Sequence, residues 1–218
     1  MSQVSAQSVK ELRERTNAGM MDCKKALQEA QGNFDKAIEW LRAKGLSRAA
    51  KAAGRVAAEG TISSYIHAGG RIGVIVEVNS ETDFVARNEE FQKFVQDVAM
   101  HVAAMNPKFV AQNEIPELEI QKEREVLKAK AIEEGKKPEM LDKILDGQIK
   151  KWAAEICLMD QKFVKNPDKT VKDYQNEMIA KIGENIVVRR FTRYELGEGI
   201  EKKQGNFADE VAAQVRGS

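Results

Sequence analysis

The chain has 218 residues, which is enough for one hydrophobic core and a small additional unit. Hydrophobic residues make up 42% and charged residues 32%, a composition typical of a soluble, helix-rich protein. The 35 Lys and Arg residues against 34 Asp and Glu residues give a net charge of +1, so no overall field draws the protein to nucleic acid or to a membrane.

The amino-terminal sequence and the cysteines predict a cytoplasmic protein. Residues 1–5 have neither the basic nor the apolar region of a signal peptide, and no apolar run approaches the roughly 20 residues of a membrane span. Cys23 and Cys157 lie far apart in sequence, each within an apolar helical pattern. We therefore expect two buried free thiols in a reducing compartment rather than a disulfide.

Residues 1–45 are predicted to form a compact bundle of three helices. Breaks at 17–19 and 32–33 separate the helices, and Gly45 is expected to end the third. So small a bundle resembles a ubiquitin-associated domain. A linker is expected at 46–58, where the few basic residues are too sparse to predict a contact with RNA.

Two adjacent methionines begin the second helix of the bundle. Because neighbouring helical residues point in different directions, Met20 and Met21 cannot both enter so small a core. A flexible, polarizable side chain that stays exposed suits a surface that binds another protein. The alternative is a methionine that fills a gap in the core, and the pattern alone leaves both interpretations open.

Residues 59–218 are predicted to fold as an α+β core with a small antiparallel sheet. Strands at 61–67 and 71–78 are joined by a glycine-rich turn at 68–70, which leaves His67 exposed at the turn. These glycines do not predict a phosphate-binding loop, because neither a Lys-Ser or Lys-Thr pair nor a helix follows them.

The second strand is followed by a segment with a helical pattern. Apolar residues alternate along the strand and then recur every three or four residues between Phe91 and Val102. The helix is therefore expected to cover the face of the sheet that every second strand residue forms: Ile72, Val74, Val76 and Val78.

Residues 117–158 predict a projecting antiparallel helical hairpin, with Pro138 in the first turn of its second helix. Its apolar residues are expected to face each other across the hairpin: Leu118, Val126, Leu127 and Ala131 against Met140, Leu141, Ile144, Leu145, Ile149 and Trp152. The remaining predicted elements follow in order: a break at 167–170, a helix at 170–183, a third strand at 186–194 and a last helix at about 206–216.

The polar connector between the second strand and its helix contains Asp83, Phe84 and Val85. The aromatic ring of Phe84 either packs back under the helix or stays exposed for a partner. A carboxylate beside a protruding aromatic suits insertion into another protein, where the ring fills a pocket and the carboxylate binds a polar group.

The sequence does not predict an enzyme, a cofactor or a metal site. His67 and His101 are not spaced with either cysteine as metal ligands, and neither a nucleophile motif nor a phosphate-binding loop is present. His101 falls within a helical pattern and is expected to be structural.

Four segments of the chain resemble the bacterial elongation factor Ts family. They are Leu12-Arg-Glu-Arg-Thr-Asn-Ala-Gly-Met-Met-Asp-Cys-Lys-Lys-Ala-Leu27, Val78-Asn-Ser-Glu-Thr-Asp-Phe-Val-Ala-Arg-Asn-Glu-Glu-Phe91, Ile182-Gly-Glu-Asn-Ile186 and Gly197-Glu-Gly-Ile-Glu201. The resemblance covers essentially the whole chain. Longer members of the family carry two related core subdomains, each with a sheet, so this chain resembles a short form.

The resemblance implies a guanine-nucleotide exchange factor in translation elongation. Such a protein binds GDP-bound or nucleotide-free elongation factor Tu and acts by differential binding rather than as an enzyme. The residues implied to displace Mg²⁺ from elongation factor Tu are Thr82, Asp83, Phe84 and Val85. The residues implied as secondary contacts are Arg13, Met20 and Met21, with His67 a weaker candidate.

Two alternatives concern the partners of the chain. The bundle is also compatible with an adaptor that binds a ubiquitin-like or peptide ligand and has no exchange activity. A small sheet leaves unpaired edges and a second face, which is expected to carry Ile75, Val187 and Phe191. Either a second copy of the chain covers this face in a homodimer, or the 117–158 hairpin folds back over it.

Overall fold

A computed structural model describes residues 4–16 and 18–200 of the chain. The helices are α1 (Ala6–Thr16), α2 (Met20–Glu29), α3 (Phe34–Ala52), α4 (Asp83–Ala86), α5 (Glu89–Met105), α6 (Glu117–Glu133), α7 (Pro138–Ile156) and α8 (Val171–Ile182). The strands are β1 (Glu59–His67), β2 (Ile72–Ser80), β3 (Lys162–Phe163), β4 (Asn166–Thr170) and β5 (Val187–Glu195). The predicted α+β class is confirmed. The helix predicted at 206–216 lies outside the described residues.

The strands form one larger and one smaller antiparallel sheet. The larger sheet has the three antiparallel strands that the sequence predicts, and their order is β1-β2-β5. The smaller sheet pairs β3 with β4, so the break predicted at 167–170 is wrong. Both strands of a two-stranded sheet are edge strands. Pro167 is tolerated within β4 because an edge strand can have a residue without an N–H on its unpaired side.

Helices α1, α2 and α3 enclose a small core of their own, made of Val9, Leu12, Cys23, Ala26, Leu27, Ala30 and Ala37. The predicted end of α3 at Gly45 is wrong, because the helix continues to Ala52. Gly45 lies against α8, and a Cβ atom there would be 3.5 Å from the Cβ of Ala180. Tertiary packing therefore overrides the low helix propensity of glycine at this position.

The second half of α3 belongs to the packing of the main core. Ala49 and Ala52 are buried in the same cluster as the sheet and α5. The first residues of the predicted 46–58 linker are thus helical and buried on one side. The division of the chain into a bundle, a linker and a core stays a prediction.

Helix α5 covers one face of the three-stranded sheet, as the sequence pattern predicts. Val74, Val76 and Val78 of β2 are buried, and Ile72 at the start of the strand is half-buried. The helix contributes apolar residues along a single buried stripe: Phe91, Phe94, Val95, Val98 and Val102. Burial of each such side chain contributes about 1.5–3 kcal/mol of hydrophobic stabilisation.

A β-bulge changes which residues of β5 face the core. The register between β2 and β5 shifts between Glu77 and Val78, and Phe191 pairs with Val76. Phe191 therefore packs on the buried side, and the prediction that it lies on the outer face is wrong. A single extra residue in one strand is enough to reverse the facing of the residues beyond it.

Helices α6 and α7 form the predicted hairpin, with Pro138 in the first turn of α7. Ala131 and Leu145 are buried. Three residues predicted to face the opposite helix are instead exposed: Leu118, Val126 and Met140. The apolar residues of α6 are distributed around the helix rather than along one stripe, so they cannot all face α7.

The hairpin leaves the outer face of the sheet open. Ile75, at the centre of that face, is 51% exposed, so the expectation that α6 and α7 fold back over it is wrong.

In the part of the chain that the structure describes, no helix combines the length and the apolar character needed to cross a membrane.

His101 joins α5 to the segment around β3 from a buried position. Its Nδ1 accepts a hydrogen bond from the Val164 N–H (3.2 Å), and its Nε2 lies 3.0 Å from Oε1 of Gln161. These partners assign the proton to Nε2 of a neutral ring. Burial lowers the pKa of His101, because the charged imidazolium would lose its hydration.

We expect acid to weaken the fold through His101. Since its pKa is lower in the folded chain than in the unfolded chain, its contribution is present above about pH 6.5 and is lost as the pH falls below that value. Urea unfolding from about pH 7.5 to about pH 5 should show a smaller loss of unfolding free energy in His101→Gln than in the native chain. His67→Gln is the control for a histidine on the surface. Equal losses in native and His101→Gln chains would contradict the assignment.

Candidate partner-binding site

A one-turn helix, α4, connects the end of β2 to the start of α5. Thr82 caps this turn, with its side-chain oxygen accepting a hydrogen bond from the Val85 N–H (3.4 Å). Asn88 caps α5 directly afterwards by accepting from the N–H groups of Glu90 and Phe91. Thr82 therefore begins the single helical turn after β2, and Asn88 begins the long helix α5.

Phe84 projects from this turn into solvent. Its side chain is 78% exposed, whereas Ala86 is buried and Val85 packs partly against the main core. The alternative that the ring packs back under the helix is therefore wrong. The turn is anchored through Val85 and Ala86, and the aromatic ring is its outermost apolar group.

Asp83 lies beside Phe84 and is partly exposed. Its Oδ2 accepts a hydrogen bond from the guanidinium of Arg87 (2.8 Å), one helical turn away. An exposed pair of this kind contributes little stability, about 0.3–0.5 kcal/mol, but it limits the directions that the carboxylate explores. Residues Asp83 and Phe84 thus present an acid and an aromatic ring side by side.

The backbone before α4 is held by a carboxylate from the other end of the sequence. Oε2 of Glu184 accepts from the N–H groups of Glu81 (3.2 Å) and Thr82 (3.0 Å), and Oε1 accepts from the Thr82 hydroxyl (2.8 Å). Ser80 adds a hydrogen bond from its hydroxyl to the Thr82 carbonyl (3.0 Å). The segment that leads into the turn is therefore held both by Glu184 and by Ser80.

Glu81 makes the reciprocal contact. Its Oε1 accepts from the N–H of Asn185 and pairs with Nε of Arg55 at 3.2 Å. The Asn185 side-chain amide donates to the Arg55 carbonyl (2.7 Å), and the Arg55 guanidinium donates to the carbonyl of Gly183 (3.0 Å). The segment after α3, the end of β2 and the segment after α8 meet at this point.

Sequence reasoning did not identify Glu184 as a site residue. It is separated from Thr82 by more than a hundred positions, and no local pattern links the two. The only signal is the polar pair Glu184-Asn185 between Gly183, which ends α8 in a left-handed conformation, and the buried Ile186. Two polar residues in a buried crossing need hydrogen-bond partners, but the sequence does not say which.

The bundle presents a second group of candidate residues. Met20 and Met21 are both exposed at the start of α2, so the alternative of a methionine that fills a gap in the core is wrong, and Arg13 is exposed on α1. The ammonium of Lys44 and the guanidinium of Arg48 bind Asp22 at 2.5 and 2.7 Å and tie α2 to α3. Although burial acts in the opposite direction, these two cations hold the pKa of Asp22 below its ordinary value.

His67 lies apart from the other candidates. It pairs with Ile72 at the start of β2, whereas the turn with Phe84 follows the end of that strand. A strand of this length separates them by roughly 25 Å. The Tyr65 hydroxyl lies 2.9 Å from Nδ1 of His67, and the two rings stack with their centroids 5.8 Å apart.

An exposed aromatic on a rigid turn is a feature of proteins that bind other proteins. Across residues 4–16 and 18–200, no three His, Cys, Asp or Glu side chains are grouped so that they could hold a metal ion. The exposed ring thus gives the turn the form of a surface for another protein, and comparison with known proteins gives the family.

The family model described as Elongation factor TS matches residues 1–177. The chain is 58% identical to Elongation factor Ts of Desulforamulus reducens over 216 residues, which cover 99% of this chain and 100% of that protein. It is 56% identical over 214 residues to Elongation factor Ts of Acetivibrio thermocellus (98% and 100% covered) and 61% identical over 212 residues to that of Alkaliphilus metalliredigens (97% and 98%). The chain belongs to the elongation factor Ts family, so it is a translation elongation factor.

We expect Phe84 to contribute almost nothing to folding. Phe84→Ala should change the free energy of unfolding by no more than about 0.5 kcal/mol, because the ring is already in water. Phe91→Ala, at a fully buried ring of the same type, should lower it by about 3–5 kcal/mol. Denaturant unfolding of both variants measures the difference. A large loss in Phe84→Ala would mean that the ring packs against the protein.

Proposed function

We propose that this chain is the guanine-nucleotide exchange factor of elongation factor Tu. It binds the GDP form, promotes release of GDP and allows GTP to load. The observation that carries the proposal is the exposed ring of Phe84 on a turn whose preceding backbone N–H groups donate hydrogen bonds to the Glu184 carboxylate. Membership of the elongation factor Ts family supports it.

The action follows from linkage between two binding equilibria. A protein that binds nucleotide-free elongation factor Tu more tightly than its GDP form must weaken GDP binding by the same factor. No covalent step by this chain is needed, so it acts as an exchange factor and not as an enzyme in the usual sense. It takes no cofactor and makes no direct contact with nucleic acid or membrane.

The turn supplies the groups that disturb the nucleotide site. Phe84 enters an apolar pocket of elongation factor Tu, and Asp83 reaches a polar group beside it. This insertion displaces the Mg²⁺ whose positive charge holds the phosphates of GDP. Thr82 and Val85 act from within the turn, Thr82 as its cap and Val85 as its anchor in the core.

The bundle provides a second surface for the same partner. Met20 and Met21 are adjacent exposed side chains, and a pair of flexible thioethers adapts to an apolar surface of another protein. Arg13 adds a positive charge on α1. His67, at the far end of the sheet, is a further contact of lesser weight.

The protein is proposed to work in the cytoplasm. Its proposed partner acts in translation, and Cys23 and Cys157 are both free and buried. Desolvation raises the pKa of Cys157 to about 11, with the carboxylates of Asp160 and Glu114 adding to the rise. A thiol of this kind is protonated at neutral pH and reacts slowly, as is usual for structural cysteines.

Phe84→Ala is expected to abolish most of the exchange activity. Loss of a buried interface anchor typically removes about 2 kcal/mol or more of binding, roughly thirtyfold in affinity. Release of labelled GDP from elongation factor Tu, at factor concentrations below saturation, measures the effect. Leu118→Ala, at another exposed apolar residue (61%) that lies on the hairpin, should keep native activity. Native activity in Phe84→Ala would refute the role of the turn.

We also propose that two copies of the chain associate through the outer face of the sheet. That face carries three isoleucines with large exposed fractions: Ile62 (67%), Ile66 (66%) and Ile75 (51%). Tyr194 and Val187 of β5 are also exposed on this face, with Val187 at the end of the sheet opposite Asn79, whereas Phe191 does not contribute. Glu77, which pairs with Arg189 and Arg190, interrupts this face, but a cluster of exposed apolar side chains is still typical of surfaces that bind another protein. A two-fold contact buries the same residues in both copies.

Light scattering over a dilution series tests the association. The native chain should have the mass of a dimer that falls to the monomer mass only on strong dilution. Ile75→Lys should shift the protein to the monomer without loss of fold, because it places a charge at the centre of the face. Leu118→Lys is the matched control on the hairpin and should leave the dimer intact. A monomer mass for the native chain at every concentration would exclude the homodimer.

A further inference from the structure

We propose that Glu184 is a positioning residue for nucleotide exchange, because its carboxylate fixes the backbone from which Asp83 and Phe84 project. The proposal rests on the exchange function proposed above and assigns to it a residue from a distant part of the chain. The three hydrogen bonds that Glu184 accepts all come from Glu81 and Thr82, the two residues between β2 and α4.

The direction of the Phe84 ring depends on its backbone. With 78% of its side chain exposed, Phe84 has little packing of its own to hold it. The orientation of the turn must therefore come from its two ends. Val85 and Ala86 anchor the later end in the core, and Glu184 holds the earlier end.

Glu184 also sets the direction of the Thr82 hydroxyl. Because this hydroxyl donates to Oε1 of Glu184, its lone pairs remain to accept the N–H of Val85. The cap of the turn is thus oriented by a group outside the turn. Loss of the Glu184 carboxylate frees the hydroxyl to rotate and releases two backbone N–H groups to water.

The contact is reinforced in the opposite direction by Glu81. Its carboxylate accepts the Asn185 N–H and pairs with Arg55, so each of the two glutamates binds the backbone of the other's segment. Reciprocal bonds across one crossing constrain both segments together. A preformed turn loses less conformational entropy when it inserts into a partner, which favours binding and exchange.

Two variants measure the effect of Glu184 on GDP release from elongation factor Tu. At factor concentrations below saturation, Glu184→Ala should lower the rate of GDP release by about tenfold to a hundredfold, because the turn that carries Asp83 and Phe84 is then misplaced. Glu184→Gln keeps one accepting oxygen and should lie between native and Glu184→Ala. Glu177→Ala, a glutamate on α8 that pairs only with Lys169 among the described contacts, is the control and should retain native activity. Thermal melting of each variant verifies that it is folded.

A double-mutant cycle separates positioning from a general effect on the fold. In a background that already carries Asp83→Ala and Phe84→Ala, the loss caused by Glu184→Ala should shrink to less than about twofold, since nothing remains to be positioned. An undiminished loss in that background would overturn the proposal, as would native activity in Glu184→Ala. If the native chain itself fails to promote GDP release from elongation factor Tu, the exchange function is refuted instead.

Discussion

The packing of α5 on the inner face of β2 determines where the candidate site lies. Phe91 and Phe94 are fully buried beneath the sheet, and β2 runs into α5 through the short connector 81–88. The chain must turn from a strand into a helix that covers the same strand, with few residues available for the change. A single helical turn, α4, makes this connection, and its exposed side carries Phe84.

The exposed ring is retained at little expense to the fold because the residues around it are well satisfied. Backbone donors before the turn are bound by Glu184, and the turn itself is capped by Thr82. Val85 and Ala86 anchor its later end in the core. An aromatic side chain in water forgoes hydrophobic stabilisation that burial in a partner then recovers. Burial of the Phe84 ring therefore stabilises a complex with a partner rather than the fold of the free chain.

Local patterns predict the elements of this site correctly, and long-range contacts explain the errors. The change from alternating residues in β2 to helical spacing in α5 depends only on neighbours, so both elements were predictable. Gly45 is helical because α8 packs against it, and the facing of Phe191 depends on a bulge opposite Glu77; neither can be read from adjacent residues. Glu184 illustrates the same limit, because its partners lie more than a hundred residues earlier.

Arg55, just beyond the end of α3, links the two proposed contact surfaces. Helix α3 packs in the bundle through Ala37 and in the main core through Ala52, and the chain then brings Arg55 against Glu81. The surface on α2 is tied to α3 by Asp22, which binds Lys44 and Arg48. Helix α3 therefore connects the surface formed by Met20 and Met21 with the residues that precede α4. When two contacts share such a framework, the first one to form holds the second near its target, and their binding free energies reinforce each other.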